Sequence, residues 1–252
     1  MRLGFQVSIE GGYSRALERG KKLGCDCIQF FIGNPRGWEK KAPSEEDIAS
    51  FKRENSFFPL IAHASYLIRP GSRKKKVREK SMKGMEFELM HAHRLGVNYY
   101  VIHAPGKDQD VKFFIEALKS MRGEVEILVE NTAKSSFSSL IPFVDAGFGI
   151  CLDTAHAFQA GYDWKKEETI REIEKTIGME NIKLLHLNDS KTGMGSGKDI
   201  HWHIGKGKIG VEGFRCLLPH FLHLPGIMET PRKSDEDDRR NMEAMRKILE
   251  EL

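Results

Sequence analysis

No window of this 252-residue sequence approaches the roughly 20 consecutive apolar residues that a membrane-crossing helix requires. Its opening, Met1 to Gly12, also lacks the long apolar run of a secretory signal, so a soluble, cytoplasmic protein without a membrane partner is expected. Cysteine is scarce. Cys25, Cys27, Cys151 and Cys216 show no C-x-x-C spacing, which excludes that kind of thiol pair, and Cys25 and Cys27 alternate within an apparent strand; all four are expected to be buried free thiols. A strong charge bias is missing too. The 40 Lys+Arg against 36 Asp+Glu leave +4, which neither demands nor forbids a nucleic-acid partner. No repeat, low-complexity run or Pro/Ser-rich linker interrupts the chain, so residues 1–252 are expected to form one domain with a sizeable core, a monomer by default.

Apolar runs bounded by turn residues are plentiful. They predict eight strands: Arg2 to Val7, Asp26 to Phe31, Pro59 to His63, Asn98 to His103, Val125 to Glu130, Phe148 to Asp153, Lys183 to Leu187 and Leu224 to Glu229. Amphipathic segments long enough for helices lie between them. Ser44 followed by Glu45, Glu46 and Asp47 is a helix start, with a capping hydroxyl and acids where the helix dipole favours them. Met82, Met85, Phe87 and Met90, set among lysines and glutamates, predict one apolar stripe on a helix from Arg73 to Arg94. Eight alternations of strand and helix indicate an α/β fold, the (β/α)₈ TIM barrel.

The chemistry-bearing residues gather at the C-terminal ends of those strands: His63, His103, Glu130, Asp153 with His156, His186, and Glu229. In a parallel barrel these ends share one face, where such proteins build their sites. Several buried carboxylates converging there would repel one another, and cations relieve that repulsion. Asp199 and His201, two apart in the loop after the seventh strand, project to the same side and suit one ion. Five His, two Asp and two Glu exceed the needs of one tetrahedral zinc, so two or three ions are implied. The cysteine-free imidazole and carboxylate set suits Zn²⁺ or Mn²⁺. His91, His93, His203, His220 and His223 lack a converging acid and are expected to be structural.

The segments A-H-A-S-Y-L, V-E-N-T-A, D-T-A-H-A-F-Q-A-G-Y-D, H-L-N-D-S-K, D-I-H-W-H-I-G-K-G-K-I-G and M-E-T-P resemble endonuclease IV in sequence and in order, across nearly the whole chain. The resemblance implies three zinc ions: one on His63, His103 and Glu130, a second on Glu130, Asp153, His186 and Glu229, and a third on His156, Asp199 and His201. Glu130 would bridge the first two and be central to catalysis. The implied activity is DNA repair: hydrolysis of the phosphodiester 5′ to an abasic site in double-stranded DNA, leaving 3′-hydroxyl and 5′-deoxyribose phosphate ends, with trimming of blocked 3′ ends. Asn34-Pro35-Arg36-Gly37-Trp38 matches the family's N-x-R-x-W loop, and Tyr66 and Leu67 match its duplex-wedging residues, so Arg36, Tyr66 and Leu67 are the implied DNA contacts. Basic residues in the same loops, Lys40, Lys41, Arg69, Arg73, Lys74, Lys75, Lys76, Arg78, Lys191, Lys198, Lys206 and Lys208, are expected to track phosphates.

The chain departs from the family pattern at Gln6, at Ala104 to Lys107 after His103, at Lys134 to Ser136, and at Ile200 and Trp202, without loss of an implied ligand. The rival expectation is a metal-dependent sugar isomerase or epimerase on the same barrel. His156 with Asp199 and His201, together with Arg36 and Tyr66, separates the two readings.

Overall fold

The computed structural model describes residues 1–252. Eight parallel strands pair in sequence order and close on themselves. They are β1 (Arg2–Gln6), β2 (Cys27–Phe31), β3 (Leu60–His63), β4 (Tyr99–His103), β5 (Glu126–Glu130), β6 (Gly149–Asp153), β7 (Ile182–His186) and β8 (Pro225–Met228). Around them run α1 (Tyr13–Lys22), α2 (Glu45–Glu54), α3 (Lys75–Leu95), α4 (Val111–Ser120), α5 (Ile141–Asp145), α6 (Thr154–Ala160), α7 (Glu167–Thr176), α8 (Gly210–Leu217) and α9 (Asp235–Glu250). This is the expected TIM barrel, with strand ends shifted by a residue or so; Glu229 lies just beyond β8 rather than within it. No helix is long and apolar enough to cross a membrane.

The pleat of the strands explains how the barrel carries a polar face. Cys27, Ile61, Val101, Leu128, Cys151, Leu184 and Ile227, one from each of seven strands, form a separate buried cluster inside the ring. The eighth strand supplies Gly4, where a Cβ would fall 1.8 Å from the Cys27 carbonyl oxygen, so any side chain would force β1 and β2 apart. Two residues further along each strand, on the same side by the period of two, come Gln6, Gln29, His63, His103, Glu130, Asp153, His186 and Glu229. An apolar plug thus floors a polar layer. The alternate residues, such as Phe30, Ala62, Ile102, Val129 and Leu152, face outward into the larger core beneath the helices.

Several local expectations need correction. On α3, Met90 is half exposed; the buried face runs through Ser81, Met85, Glu88, Leu89 and Ala92, so a carboxylate sits in what composition suggested was an apolar stripe. Cys25 precedes β2 rather than lying in it, and only Cys27 and Cys151 are fully buried, Cys25 and Cys216 being partly covered. Ser44 does cap α2, its Oγ accepting from the Asp47 amide at 3.1 Å.

Candidate metal centre

The polar layer supplies six of the nine implied ligands, and His156 on α6 with Asp199 and His201 from the segment after β7 completes one cluster. His63, His103 and Glu130 offer donor atoms within 4.8 Å of one another; Glu130, Asp153, His186 and Glu229 do the same, as do Asp153, His156 and His201. Asp199 joins the last set, its Oδ1 lying 3.1 Å from His156 Nε2 and 3.5 Å from His201 Nε2. Glu130 is central and fully buried. Its Oε2 is 3.1 Å from both His63 Nε2 and His103 Nε2, while Oε1 is 3.1 Å from His186 Nδ1. One carboxylate therefore serves two histidine groups with separate oxygens.

Whether these residues fit metal ions is tested by the unused side of four of the five rings. His63 Nδ1 donates to the Ala64 carbonyl (2.9 Å), His156 Nδ1 to the Asn131 carbonyl (2.9 Å) and His201 Nδ1 points at the Glu229 carbonyl (3.3 Å), which leaves each Nε2 facing the cluster. His186 is turned the other way, with Nε2 donating to Gln29 Oε1 (2.9 Å) and Nδ1 facing Glu130 and Glu229. His156 Nε2 and His201 Nε2 stand 3.4 Å apart. Such paired lone pairs repel unless a cation or proton lies between them, and an outward-donating imidazole is the arrangement that metal ligation favours.

Sequence reasoning missed the residues that hold the implied ligands in place. Gln29 Nε2 donates to Glu229 Oε1 (2.7 Å) while its oxygen fixes His186. Asn131 exchanges two hydrogen bonds with the Asp153 backbone, and Asn188 donates to Asp153 Oδ2 (2.7 Å) while accepting from the Glu229 amide (2.7 Å). The signal was present: Gln29 is a lone amide inside an otherwise apolar strand, and Asn131 and Asn188 sit inside the very segments that carry the implied ligands.

Without ions, protons take over the balancing of charge. Burial disfavours charge on Glu130, yet His103 and His186 outweigh it and hold its carboxyl well below the usual range. Burial works against charge on His103 too, but Glu130 prevails and raises its pKa; His156 is raised further against the same burial, by Asp153, Asp199 and Glu130. Asp199 is drawn down to about 2, His156 overcoming the effect of burial. The sign follows: imidazoles with raised pKa hold their protons to higher pH, and a metal must displace those protons to bind. Metal affinity, measured by competition with a chromophoric chelator, should therefore drop by about tenfold per pH unit for each proton displaced as pH falls from roughly 8 to 6. A flat profile would contradict this account.

A cavity of about 480 Å³ opens beside the cluster, walled by Phe5, Phe31, Tyr66, Ile200 and Met228 and edged by Gln6 and Arg232. A second, also about 480 Å³, lies on the far side of His103, His156 and Asp199 and includes Lys107 and Lys134.

Comparison with known proteins agrees with this geometry. The model of the xylose isomerase-like TIM barrel family matches residues 17–252. A probable endonuclease 4 from Halothermothrix orenii is 38% identical over 266 residues, covering 94% of this chain and 96% of that protein. One from Persephonella marina is 35% identical, covering 99% and 97%. The crystal structure of endonuclease IV from Thermus thermophilus superposes with a TM-score of 0.91 at 34% identity, covering 100% of both chains. The chain belongs to the endonuclease IV family. A D-tagatose 3-epimerase-like protein, at 20% identity and a TM-score of 0.72, shares the fold alone.

Within the endonuclease IV frame, the loops after β2 and β3 are joined, the Tyr66 amide donating to the Pro35 carbonyl at 3.1 Å. Tyr66 is 54% exposed with its ring 5.3 Å from Phe31; Arg36 is exposed and Leu67 partly so. The basic residues of these loops are less uniform than expected. Lys40 does not present its ammonium to solvent: its side chain is 4% exposed and paired with Glu88. Arg69 pairs with Asp108, Arg78 stacks on Phe113, and Lys191 lies over Trp202 at 4.5 Å. A run of positive residues in sequence does not distinguish a solvated ammonium from one already partnered. His201 belongs to a two-residue ribbon pairing His201–Trp202 with Asp189–Ser190, which holds Asp199 beside it.

Proposed function

We propose that this protein is a metal-dependent DNA-repair endonuclease that hydrolyses the phosphodiester 5′ to an abasic site, leaving a 3′-hydroxyl and a 5′-deoxyribose phosphate, and that it also clears blocked 3′ ends. The observation that carries the reading is the sharing of Glu130 between two histidine groups, with His156, Asp199 and His201 forming a third beside them. His63, His103 and Glu130 would hold one zinc ion, Glu130, Asp153, His186 and Glu229 a second, and His156, Asp199 and His201 a third, with Mn²⁺ an acceptable substitute in so oxygen-rich a set. Bound there, such ions supply the Lewis acidity that activates water near neutral pH and offsets charge on the phosphate and leaving oxygen.

The chain's own residues do the rest. Gln29, Asn131 and Asn188 hold the ligands at fixed angles, so little reorganisation is needed when charge develops. Tyr66 and Leu67 would enter the duplex where a base is missing, since unstacking costs roughly a few kcal/mol and least at such a gap. Arg36 would hold the backbone beside them. The cavity walled by Phe5, Phe31 and Met228 would take the displaced sugar phosphate. A sugar isomerase has no evident use for a third ligand group or for an exposed Tyr66 and Arg36. The protein is expected to act as a cytoplasmic monomer.

The test is incision of a labelled duplex with one abasic site, using protein stripped of metal and then reconstituted with Zn²⁺ or Mn²⁺. Cutting 5′ to the lesion only after reconstitution is expected, with undamaged duplex left intact. No incision with either metal would overturn the reading in favour of the isomerase.

A further inference from the structure

Behind the two loops after β2 and β3, away from the metal cluster, lies a second buried charged group. Glu88, on α3, is fully buried and Lys40, from the loop after β2, is nearly so. Their contact is close, Lys40 Nζ donating to Glu88 Oε1 at 2.5 Å. Ser65 Oγ donates to the same oxygen and itself accepts from Lys40. The other oxygen, Oε2, accepts from Tyr100 Oη on β4 (2.5 Å) and from the Ser65 amide (3.3 Å). Four donors from three different segments thus converge on one carboxylate. Burying a charge pair is costly unless every lone pair is satisfied, and here it is. The Lys40 stem crosses Gly33, whose φ of +84° and missing Cβ leave room at 3.6 Å.

Ser65 immediately precedes Tyr66, and Lys40 closes the loop that carries Arg36 and Trp38. Trp38 in turn rests near Lys80 and Gly84 of α3. None of the four network residues lines the cavity beside the cluster.

We propose that Lys40 and Glu88 are positioning residues for lesion recognition: their buried pair locks the Arg36 loop and the Tyr66 loop to each other and to α3, fixing the angle at which Tyr66 is presented to DNA. The inference rests on the reading that Tyr66 and Arg36 contact an abasic duplex. It assigns Lys40 a role opposite to that of a phosphate-tracking lysine, since its ammonium is used up inside the protein.

The test is a double-mutant cycle on DNA affinity. Equilibrium binding of abasic and undamaged duplexes is measured by fluorescence anisotropy for the parent, Lys40→Met, Tyr66→Ala and the pair combined, each with metal and after chelation. Lys40→Met is expected to weaken abasic-duplex binding by about tenfold while turnover at saturating substrate stays within about threefold. The combined variant should bind no more weakly than Tyr66→Ala alone, because Lys40 acts through Tyr66. Lys40→Arg, which keeps the pair, should recover most of the affinity. If thermal melting shows that Lys40→Met does not fold, Lys40→Met with Glu88→Gln removes both charges and carries the same comparison. Additive losses, or a Lys40→Met protein that prefers abasic DNA as strongly as the parent, overturn the proposal. A parent protein with no preference for abasic over undamaged duplex overturns instead the reading on which it rests.

Discussion

Glu130→Gln should lower single-turnover incision of an abasic duplex by about a thousandfold or more while leaving duplex affinity within about threefold. The substitution preserves shape and volume at a fully buried position, so packing around Leu128 and Cys151 has no reason to change. What changes is the sign of one end. Glu130 presents acceptors on both sides, Oε2 to His63 and His103 and Oε1 to His186; an amide keeps one acceptor and turns the other into a donor. It also removes the negative charge that His103 and His186 sustain against the effect of burial. Arg36, Tyr66 and Leu67, the proposed DNA contacts, lie on the loops after β2 and β3, and a grip made there would not depend on that charge. Rapid-quench incision and anisotropy titration of the same preparation check both halves. Unchanged turnover would refute the sharing of Glu130; a parallel collapse of affinity would show that the ions, not the loops, hold the DNA.

Much of this site was legible in the sequence because of the barrel's own periodicity. Each strand alternates inward and outward, so a polar residue closing an apolar run, such as His63 after Leu60-Ile61-Ala62, is bound to face the same mouth as its counterparts on other strands. Asp199 and His201 came from loop spacing, and the structure adds the short ribbon with Asp189–Ser190 that makes the spacing effective. Two kinds of information were hidden. Gln29, Asn131 and Asn188 are neutral amides, whose importance lies in which oxygen or nitrogen points where, and that follows only from the packed layer. Lys40 and Glu88 are 48 positions apart, and both belong to charged stretches that ordinarily face water. Their burial depends on three segments, carrying Lys40, Ser65 and Tyr100, meeting at Glu88, a tertiary fact without a local signature.

Asp153→Asn should cost about as much activity as Glu130→Gln, with an added loss of bound metal, and a reciprocal substitution separates the causes. Asp153 Oδ1 caps α6 by accepting from the His156 amide (2.7 Å), a task that Asn performs equally well. Its Oδ2 accepts from Asn188 Nδ2 (2.7 Å) and lies 3.6 Å from His201 Nε2, so it belongs to two ligand groups at once. With Asn at 153, two amide nitrogens face each other. Flipping Asn188 does not help, because its oxygen is already committed to the Glu229 amide at 2.7 Å, and the conflict would pass to that ligand. The metal-free variant should thus be less stable by about 1–3 kcal/mol, the usual cost of an unsatisfied buried polar group. Combining Asp153→Asn with Asn188→Asp restores a donor facing an acceptor and still offers an acceptor to Glu229. Metal-free thermal stability should return with the double substitution, whereas metal content and incision should not, since the negative charge now sits on the supporting residue rather than on the ligand. Recovery of full incision would mean that the site requires only its total charge; failure to regain stability would mean that Asp153 is bound into the barrel by more than this exchange of hydrogen bonds.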